Sequence, residues 1–401
     1  MSGDSKKIFQ VSSWTDVLGG VATRHRRHMV RLGRLESRLF SDEISETPID
    51  RPILIAGLAR AGTTVLLEAL ESHPDTASHR YRDFPLILTP IFWNRFLDRV
   101  PRRSEPPRER AHRDGIEVTA ESPEAFEEVL WMTFFPDLHE VPAEDVLDGE
   151  THHPDFEQFY RDHLRKLLWL RDGRRYLSKA NYNLTRLEYL LRLFPDARIV
   201  LPVRDPVWHI ASLMKQHRLF CAGAREEPRA VAHLQRVGHF EFGPDRRPIT
   251  AGDPDEACRI ARLWANGHEL EGWARYWNHI YRFVADRLTA NPELRQAALI
   301  VRCEDLWSAP GRTLARILDH CELSYTDAFV DNLAGRIRVP SYYRPDFSRS
   351  ELEMISAHTS RTAARFGYAD PLQAGADPPA GPQAALERRR VPLGLSPYWL
   401  R

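Results

Sequence analysis

The sequence predicts an α/β fold in three layers, with a central parallel sheet and added helices. Short apolar runs of strand length alternate with segments of helical periodicity along much of the chain. These runs are apolar at nearly every position rather than at alternate positions, which is typical of parallel strands that are buried on both faces. The first run leads through a glycine-rich turn directly into a helical segment. We therefore expect ligands to bind at the carboxyl ends of the strands, as they do in open parallel sheets.

The elements follow in order. Four strands are predicted, at residues 53–56, 175–178, 197–203 and 298–301. Helical spacing of apolar residues, together with capping residues and prolines that end helices, predicts the helices between them. Those helices are expected at 11–41, 65–72, from Ser122 onward, and at 184–194, 207–219, 256–290 and 313–321. The polar segment 99–115 is predicted to be a surface loop.

The domain boundaries follow from these elements. We expect an N-terminal helical extension at residues 1–48, an α/β domain at 49–370, and a tail rich in Pro, Gly and Ala at 371–401. The extension interleaves leucines with arginines, and such a basic amphipathic helix can lie on a membrane or on an acidic partner. We favour the simpler interpretation, in which a packed helix exposes its charged face to solvent.

Composition narrows the class of protein. Lys and Arg together number 56, and so do Asp and Glu, which gives no charge argument for a nucleic-acid partner. The four cysteines lack C-x-x-C spacing, which favours a reducing compartment over a zinc site or disulfides. The N-terminus lacks the apolar core of a signal peptide, and no apolar stretch reaches the ~18 residues that a membrane span needs. We therefore expect a cytoplasmic protein without a membrane span.

The glycine-rich turn, residues 57–64, has the composition of a phosphate-binding loop. Gly57 and Gly62 have the spacing G-x-x-x-x-G, between a strand and a helix whose first backbone N–H groups are free to bind an anion. Thr63 stands where nucleoside-triphosphate-binding loops have a lysine, and the positive charge lies instead at Arg60. The loop therefore predicts a phosphate-ester ligand other than the usual ATP or GTP.

A second pattern follows the third predicted strand. Arg204-Asp205-Pro206 comes directly after that strand, and Ser212 lies eight residues after Arg204. Together with the loop, with 194–198 (FPDAR) and with 304–306 (EDL), this order of motifs resembles the sulfotransferases that use 3′-phosphoadenosine 5′-phosphosulfate (PAPS). The resemblance covers residues 49–345 and is greatest to the bacterial, carbohydrate- and small-molecule-type branch, whose fold is similar to that of P-loop nucleotide-binding proteins.

The resemblance implies a function and a set of site residues. The co-substrate would be PAPS, and its sulfuryl group would pass in line to an acceptor hydroxyl of a sugar, lipid or small metabolite. The loop would hold the 5′-phosphosulfate and Arg60 would neutralise the leaving oxygen, whereas Arg204 and Ser212 would hold the 3′-phosphate. The cofactor-binding set is then Arg60, Ala61, Gly62, Thr63, Thr64, Arg204 and Ser212. No catalytic metal is expected.

The general base is a separate expectation. Family members use a His or an acidic residue, and the matching stretch here offers Asp83 and His79, with Glu121 and Glu128 as further candidates. Arg80 and Arg82 lie just before Asp83 in sequence, so a structural ion pair is an equally open alternative for it.

Two other regions are candidates for cofactor contacts. Lys179 matches a lysine that is common in the family between the two motifs, and a surface position is the alternative for it. A basic-aromatic cluster runs from Arg336 to Arg344. Two rival functions also stay open: a P-loop-type kinase or NTPase, for which Asp205 would hold the metal, and a non-catalytic binding protein on the same fold.

Overall fold

The computed structural model describes residues 9, 11–100, 106–337, 345–370 and 372. Its centre is a five-stranded sheet, in which every pair of neighbours is parallel and the strand order is β2-β5-β1-β6-β7. These strands are β1 Ile53–Ile55, β2 Thr76–Ala77, β5 Arg175–Lys179, β6 Arg198–Val203 and β7 Ala298–Arg302. A separate antiparallel hairpin pairs β3 Arg108–Glu109 with β4 Glu117–Val118.

The helices that surround the sheet are α1 Ser13–Arg24, α2 Arg26–Leu39, α3 Ser41–Ser45, α4 Thr63–Glu71, α5 Pro90–Arg99, α6 Glu128–Phe134, α7 Pro154–Arg171, α8 Leu187–Leu193, α9 Pro206–Glu226, α10 Arg229–Val237, α11 Pro254–Ala265, α12 Glu269–Ala290, α13 Pro292–Ala297, α14 Cys303–Ser308, α15 Pro310–His320, α16 Asp327–Arg336 and α17 Arg349–Arg365. Short 3₁₀ turns lie at Tyr81–Asp83 and Asn181–Thr185. None of the helices in these described ranges is both long and apolar enough to cross a membrane.

Helices cover both faces of the sheet, which confirms the predicted fold class. Successive residues of β1 belong to two different hydrophobic clusters: Leu54 to the larger one, Ile53 and Ile55 to the smaller. Each strand is therefore buried on both sides, and this is why its sequence is apolar throughout. All four predicted strands are present, with ends that differ by no more than one residue.

Some helix predictions were wrong. The helix expected from Ser122 begins only at Glu128, because the Ser122 hydroxyl accepts from the Thr119 N–H in a turn, and Pro123 pairs with Arg80. The helix expected at 256–290 is two helices, α11 and α12, separated by Gly267 in the left-handed region at φ +81°. Periodicity alone could not show this break, since the apolar spacing continues through it.

The N-terminal extension is also interrupted. The helix expected at 11–41 is divided at His25 into α1 and α2, and α3 follows. The boundary at residue 48 stays a prediction, as does the one at residue 370. In the predicted tail, residues 371 and 373–401 lie outside the described residues.

Candidate functional site

The loop between β1 and α4 is held in a shape that few sequences allow. A Cβ on Gly57 would lie 2.9 Å from the Pro202 carbonyl oxygen on β6, so the two chains approach too closely for a side chain. Gly62 precedes α4 at φ +94°, and Arg60 also lies in the left-handed region at φ +74°. The loop thereby leads into the first turn of α4, whose N–H groups have no carbonyl partner within the helix.

Residues far apart in sequence meet at this loop. The Arg60 Nε donates to the Ser212 Oγ of α9 at 3.3 Å, and the Arg204 Nη1 donates to the Arg60 carbonyl oxygen at 3.1 Å. Arg204 is buried, and its guanidinium lies 5.1 Å from the centre of the Trp307 ring. Because β1 and β6 are parallel neighbours, their carboxyl ends bring these side chains to one edge of the sheet.

Asp205 caps the helix that follows Arg204. Its carboxylate accepts the Val207 N–H at 3.0 Å and the Trp208 N–H at 3.2 Å, at the start of α9. Burial, followed by the charge of Glu304, raises the pKa of Asp205 to about 7. The Asp205 carboxylate is therefore engaged in capping α9, the helix that carries Ser212.

The β3–β4 hairpin reaches into the site. The Arg60 Nη1 is 2.7 Å from the Asp114 Oδ2, and the Arg110 Nη1 donates to the Thr64 Oγ1 at 3.1 Å. Arg110 also binds Asp114 through two nitrogens, and both side chains are largely buried. Although burial raises the pKa of the Asp114 carboxyl, Arg110 and Arg60 lower it well below its usual range. The prediction of a surface loop at 99–115 is thus wrong for this part of the segment.

A lysine and a glutamate lie beside the loop. Burial, with the charges of Arg110 and Arg60, lowers the pKa of Lys179, which ends β5, while the charge of Glu124 opposes this change. Glu124 in turn is buried, which raises its pKa, but Lys179 and a hydrogen bond from Tyr81 lower it below its usual value. The ammonium therefore lies among the site's charges rather than on the open surface.

Two histidines and a carboxylate form a chain next to these charges. The His239 Nδ1 forms an ion-pair contact with the Glu241 Oε2, and the Glu241 Oε1 accepts from the Asn181 side-chain amide at 2.6 Å. The His239 Nε2 lies 3.5 Å from the His112 Nε2. Burial, followed by the charge of Arg110, lowers the pKa of His112 well below its usual value, so its imidazole is neutral.

The two predicted bases, Asp83 and His79, take no part in the contacts described above. Asp83 is fully buried, and its carboxylate binds Arg171 at 2.6 Å and the Asn94 amide at 2.9 Å. Burial raises the pKa of Asp83, but the hydrogen bond from His79 and the charge of Arg171 lower it to well below its usual range. His79 is also buried, with its Nε2 3.2 Å from the His163 Nε2. These contacts favour a structural ion pair for Asp83, with Arg171 as its partner rather than the expected Arg80 or Arg82, whose guanidinium groups pair with other acids.

The remaining candidates have structural contacts. Glu121 is paired with Arg80 and Arg82 at the surface, whereas Glu128 is buried against Arg186 and His139. In the predicted basic-aromatic cluster, the Arg336 Nη1 lies 3.5 Å from the Ser72 Oγ. The cluster's other members, Arg338, Tyr342, Tyr343 and Arg344, lie outside the described residues.

Sequence reasoning missed the residues of the hairpin and of the histidine chain. Asp114-Gly115 is a turn dipeptide, with Gly115 at φ +79°, and it could have indicated a hairpin in the polar segment. No local pattern marks His112, because its contact with His239 joins positions 127 residues apart. His239 and Glu241 are only two residues apart, but a His-x-Glu spacing by itself does not indicate a site.

Comparison with known proteins gives one family. Residues 52–239 match the model of a family described as the sulfotransferase family. No curated protein matches the chain. Within the described residues, no group of three or more His, Cys, Asp or Glu side chains is arranged to hold a metal ion.

Several solved bacterial structures are similar to the chain at low identity. Sulfotransferase STF9 of Mycobacterium avium is 17% identical over 82% of this chain and 81% of its own, with a TM-score of 0.44. Sulfotransferase STF1 of Mycobacterium tuberculosis is 17% identical over 87% and 86%, with a TM-score of 0.43. A sulfotransferase of Alicyclobacillus acidocaldarius is 15% identical over 79% and 95%, with a TM-score of 0.37.

Proposed function

We propose, from the match of residues 52–239 to the model of the sulfotransferase family, that the protein is a PAPS-dependent sulfotransferase that acts on an acceptor hydroxyl. The observation that carries the proposal is the meeting of Arg60, Ser212 and Arg204 at the glycine loop. PAPS has two anionic ends, and these contacts provide cations and hydroxyls for both at one edge of the sheet. We propose that the enzyme acts in the cytoplasm.

The cationic side chains of the site support an anionic ligand. Four of them surround the loop, at Arg60, Arg110, Lys179 and Arg204, and acidic side chains are interleaved with them, at Glu68, Asp114, Glu124, Asp205 and Glu241. In this structure the Asp114 carboxylate pairs with Arg60, where an anionic oxygen of the ligand would bind. It is the placement of the arginines at the loop, rather than a net charge, that favours a ligand with phosphate and sulfate groups.

Different residues of the chain would assist different parts of the reaction. Bound PAPS supplies the sulfuryl group, whose bond to the bridging phosphate oxygen breaks as a bond to the acceptor oxygen forms. Arg60 and the N–H groups of Ala61, Gly62, Thr63 and Thr64 would stabilise the charge that develops on the leaving oxygen. Arg204 and Ser212 would hold the 3′-phosphate, and adenosine 3′,5′-bisphosphate would leave as the second product.

We propose His239 as the general base in place of Asp83 and His79. Its imidazole is partly exposed, with a side-chain accessibility of 22%, and it is oriented by the Glu241 carboxylate. A histidine whose second nitrogen is held by a carboxylate can accept the acceptor's proton near neutral pH and keep the resulting charge paired. Sugars, lipids and small metabolites all offer the hydroxyl that this chemistry needs.

Calorimetric titration with adenosine 3′,5′-bisphosphate in EDTA tests the donor site. We expect metal-free binding that weakens about 10- to 100-fold in Arg204→Ala, since a charge-assisted hydrogen bond contributes about 1.5–3 kcal/mol. Arg361→Ala, at an exposed position of α17, is the control and should bind as the wild type does.

The two rival functions give different results in the same experiment. Binding of ATP that requires magnesium, with no binding of the bisphosphate, would favour a kinase or NTPase and overturn the proposal. Tight binding of the bisphosphate without turnover of PAPS on any hydroxyl compound would favour a non-catalytic binding protein.

A further inference from the structure

Helix α2 is packed with a glycine and an acidic residue inward. Gly33 and Glu36 are its buried residues, and Met29 and Val30 are partly buried against the core. A Cβ on Gly33 would lie 2.5 Å from the Leu88 carbonyl oxygen, so the helix backbone lies directly against the core at this point. The leucines that give the helix its amphipathic pattern therefore cannot be the residues that attach it to the protein.

A buried ion pair fixes this orientation. The Lys166 Nζ lies 3.1 Å from the Glu36 Oε2, and it also donates to the Gly33 carbonyl oxygen at 2.6 Å. The other carboxylate oxygen of Glu36 accepts the Phe92 N–H at 2.6 Å. Rolling α2 to bury its leucines would break all three contacts and leave two charges unpaired.

The outward side is apolar. Leu32, Leu35 and Leu39 follow the spacing i, i+3, i+7 and are 44%, 44% and 62% exposed. Helix α1 adds a second exposed row at the same spacing, Trp14, Val17 and Val21. These six make up more than half of the large apolar side chains that are exposed in the described part of the chain. Each row runs along its own helix, and rows of exposed apolar side chains, unlike single ones, are typical of interaction sites.

Positive charge flanks the leucines. Arg27, Arg31 and Arg38 are exposed on α2, and the only acidic residue of that helix is the buried Glu36. On α1 the only acidic residue, Asp16, is paired with Arg236 at 2.6 Å. The surface thus combines apolar side chains with arginines whose charge no exposed acid of these two helices balances.

We propose that α1 and α2 dock the protein on an anionic lipid surface, with the leucines inserted among the acyl chains and the arginines at the headgroups. Leucines flanked by cations are the composition of helices that lie in the plane of a membrane interface. The charge argues against a second copy of this chain, because a two-fold contact through α2 would bring its own arginines together. This inference does not depend on the proposed sulfotransfer.

Vesicle flotation of the full chain tests the proposal. We expect binding to phosphatidylcholine vesicles that contain phosphatidylglycerol, little binding to vesicles of phosphatidylcholine alone, and loss of binding at about 1 M salt, where the Debye length is about 3 Å. Replacement of Arg27, Arg31 and Arg38 by Gln should weaken binding on the order of 100-fold, from about fivefold for each arginine. Replacement of Leu32, Leu35 and Leu39 by Gln should weaken it on the order of tenfold or more.

A matched control distinguishes binding through α1 and α2 from nonspecific binding by any exposed apolar or cationic residue. The double variant Met354→Gln/Arg361→Gln removes an exposed apolar and an exposed cationic residue at i, i+7 on α17, and it should bind vesicles as the wild type does. Because all of the replaced side chains are exposed, circular dichroism and the melting temperature should be unchanged in every variant.

Other results would overturn the proposal. Equal binding to neutral and anionic vesicles, or full binding by the leucine variant, would show that these residues do not form the lipid contact. A wild-type dimer that ignores vesicles and becomes monomeric in the leucine variant would instead assign the surface to self-association. None of these measurements reads out turnover of PAPS, so their results do not bear on the proposed sulfotransfer.

Discussion

Arg60 joins the two halves of the candidate site through different atoms. Its carbonyl oxygen accepts from Arg204, and its guanidinium contacts both Ser212 and Asp114. A left-handed backbone at φ +74° puts the carbonyl and the side chain into these two environments. One residue therefore connects the glycine loop, the strand β6, the helix α9 and the hairpin.

Substitution of Arg60 distinguishes the role of its side chain from that of its backbone carbonyl. Arg60→Gln keeps the carbonyl contact but removes the charge at the leaving oxygen, so the turnover number should fall about 10²- to 10³-fold. The rate at which adenosine 3′,5′-bisphosphate is released from PAPS measures this. Arg60→Lys keeps a charge and should retain more activity than Arg60→Gln; equal losses in the two variants would assign the effect to the shape of the loop.

The turnover number tests His239. As the general base it takes the acceptor's proton, so His239→Gln should lose about 10²–10⁴ of the rate while adenosine 3′,5′-bisphosphate still binds. Glu241→Gln removes the carboxylate that pairs with His239, and we expect a smaller loss of rate in that variant. The control is His268→Gln, at an exposed position before α12. A turnover number in His239→Gln equal to that of the wild type would contradict the assignment.

At the scale of elements, we expect Asp114 of the hairpin β3–β4 to compete with the ligand for Arg60. Asp114 is an anion that the protein itself places at Arg60. In Asp114→Asn the internal charge is removed, so the bisphosphate should bind several-fold more tightly, which calorimetry measures. Weaker binding in this variant would mean that Asp114 orients Arg60 and Arg110 rather than competing with the ligand.

The orientation of α2 rests on its buried ion pair. Glu36→Gln leaves the Lys166 charge unpaired in the core, so the free energy of unfolding should fall by about 3–5 kcal/mol. The double variant Glu36→Gln/Lys166→Met removes both charges and should lose less; urea denaturation measures both. The exposed pair Arg349–Glu353 on α17 is the matched control, and its removal should cost less than about 1 kcal/mol. A double variant less stable than the single one would show that the pair is not what holds the helix.

The elements that sequence could predict are those whose signal is local. The four strands at 53–56, 175–178, 197–203 and 298–301 are short apolar runs, and burial on both faces of one sheet produces that pattern directly. The hairpin was not predictable in the same way. Its Arg110 and Asp114 side chains are buried in ion pairs with each other and with Arg60, and polar side chains with such partners look like solvent-exposed ones in sequence.

The same distinction applies to the site. Arg60 and Arg204 could be selected from the sequence because each follows a predicted strand, and parallel strands end at a common edge; their roles in binding stay predictions. Glu124, His112 and His239 had no such marker. The inward face of α2 was also unpredictable, because Gly33, the ion pair of Glu36 and the partly buried Met29 and Val30, rather than the leucines, form the contact with the core.

At the scale of the whole molecule, buried carboxylates make stability depend on pH. Glu128 is buried between Arg186 and His139, at 2.8 Å and 2.7 Å. Burial raises its pKa, but the charge of Arg186 and then that of His139 lower it to about 2. A lowered pKa in the folded state stabilises the protein at pH values above the ordinary pKa of 4.5, and this stabilisation is lost as the pH falls toward 2.

We therefore expect Glu128→Gln to be less stable than the wild type at pH 7, by about 3–5 kcal/mol, and the difference to shrink as the pH falls below about 4.5. Urea denaturation across this range measures it.

For Asp145→Asn we expect the stability difference from the wild type to change with pH in the opposite direction. Burial raises the Asp145 pKa to about 6, so the wild type loses stability relative to that variant as the pH rises toward 6. A difference that is independent of pH in both variants would contradict the assigned pKa changes.

The contact between Gly57 and Pro202 has a consequence for how this protein can evolve. A Cβ on Gly57 would lie 2.9 Å from the Pro202 carbonyl oxygen, and every amino acid at position 202 keeps that oxygen. A change of side chain at position 202 therefore cannot make room for a side chain at position 57, although the two positions are 145 residues apart in sequence. Related chains should keep glycine at position 57 whichever residue they have at position 202, and a glycine loop transplanted into another protein would need its neighbouring strand as well.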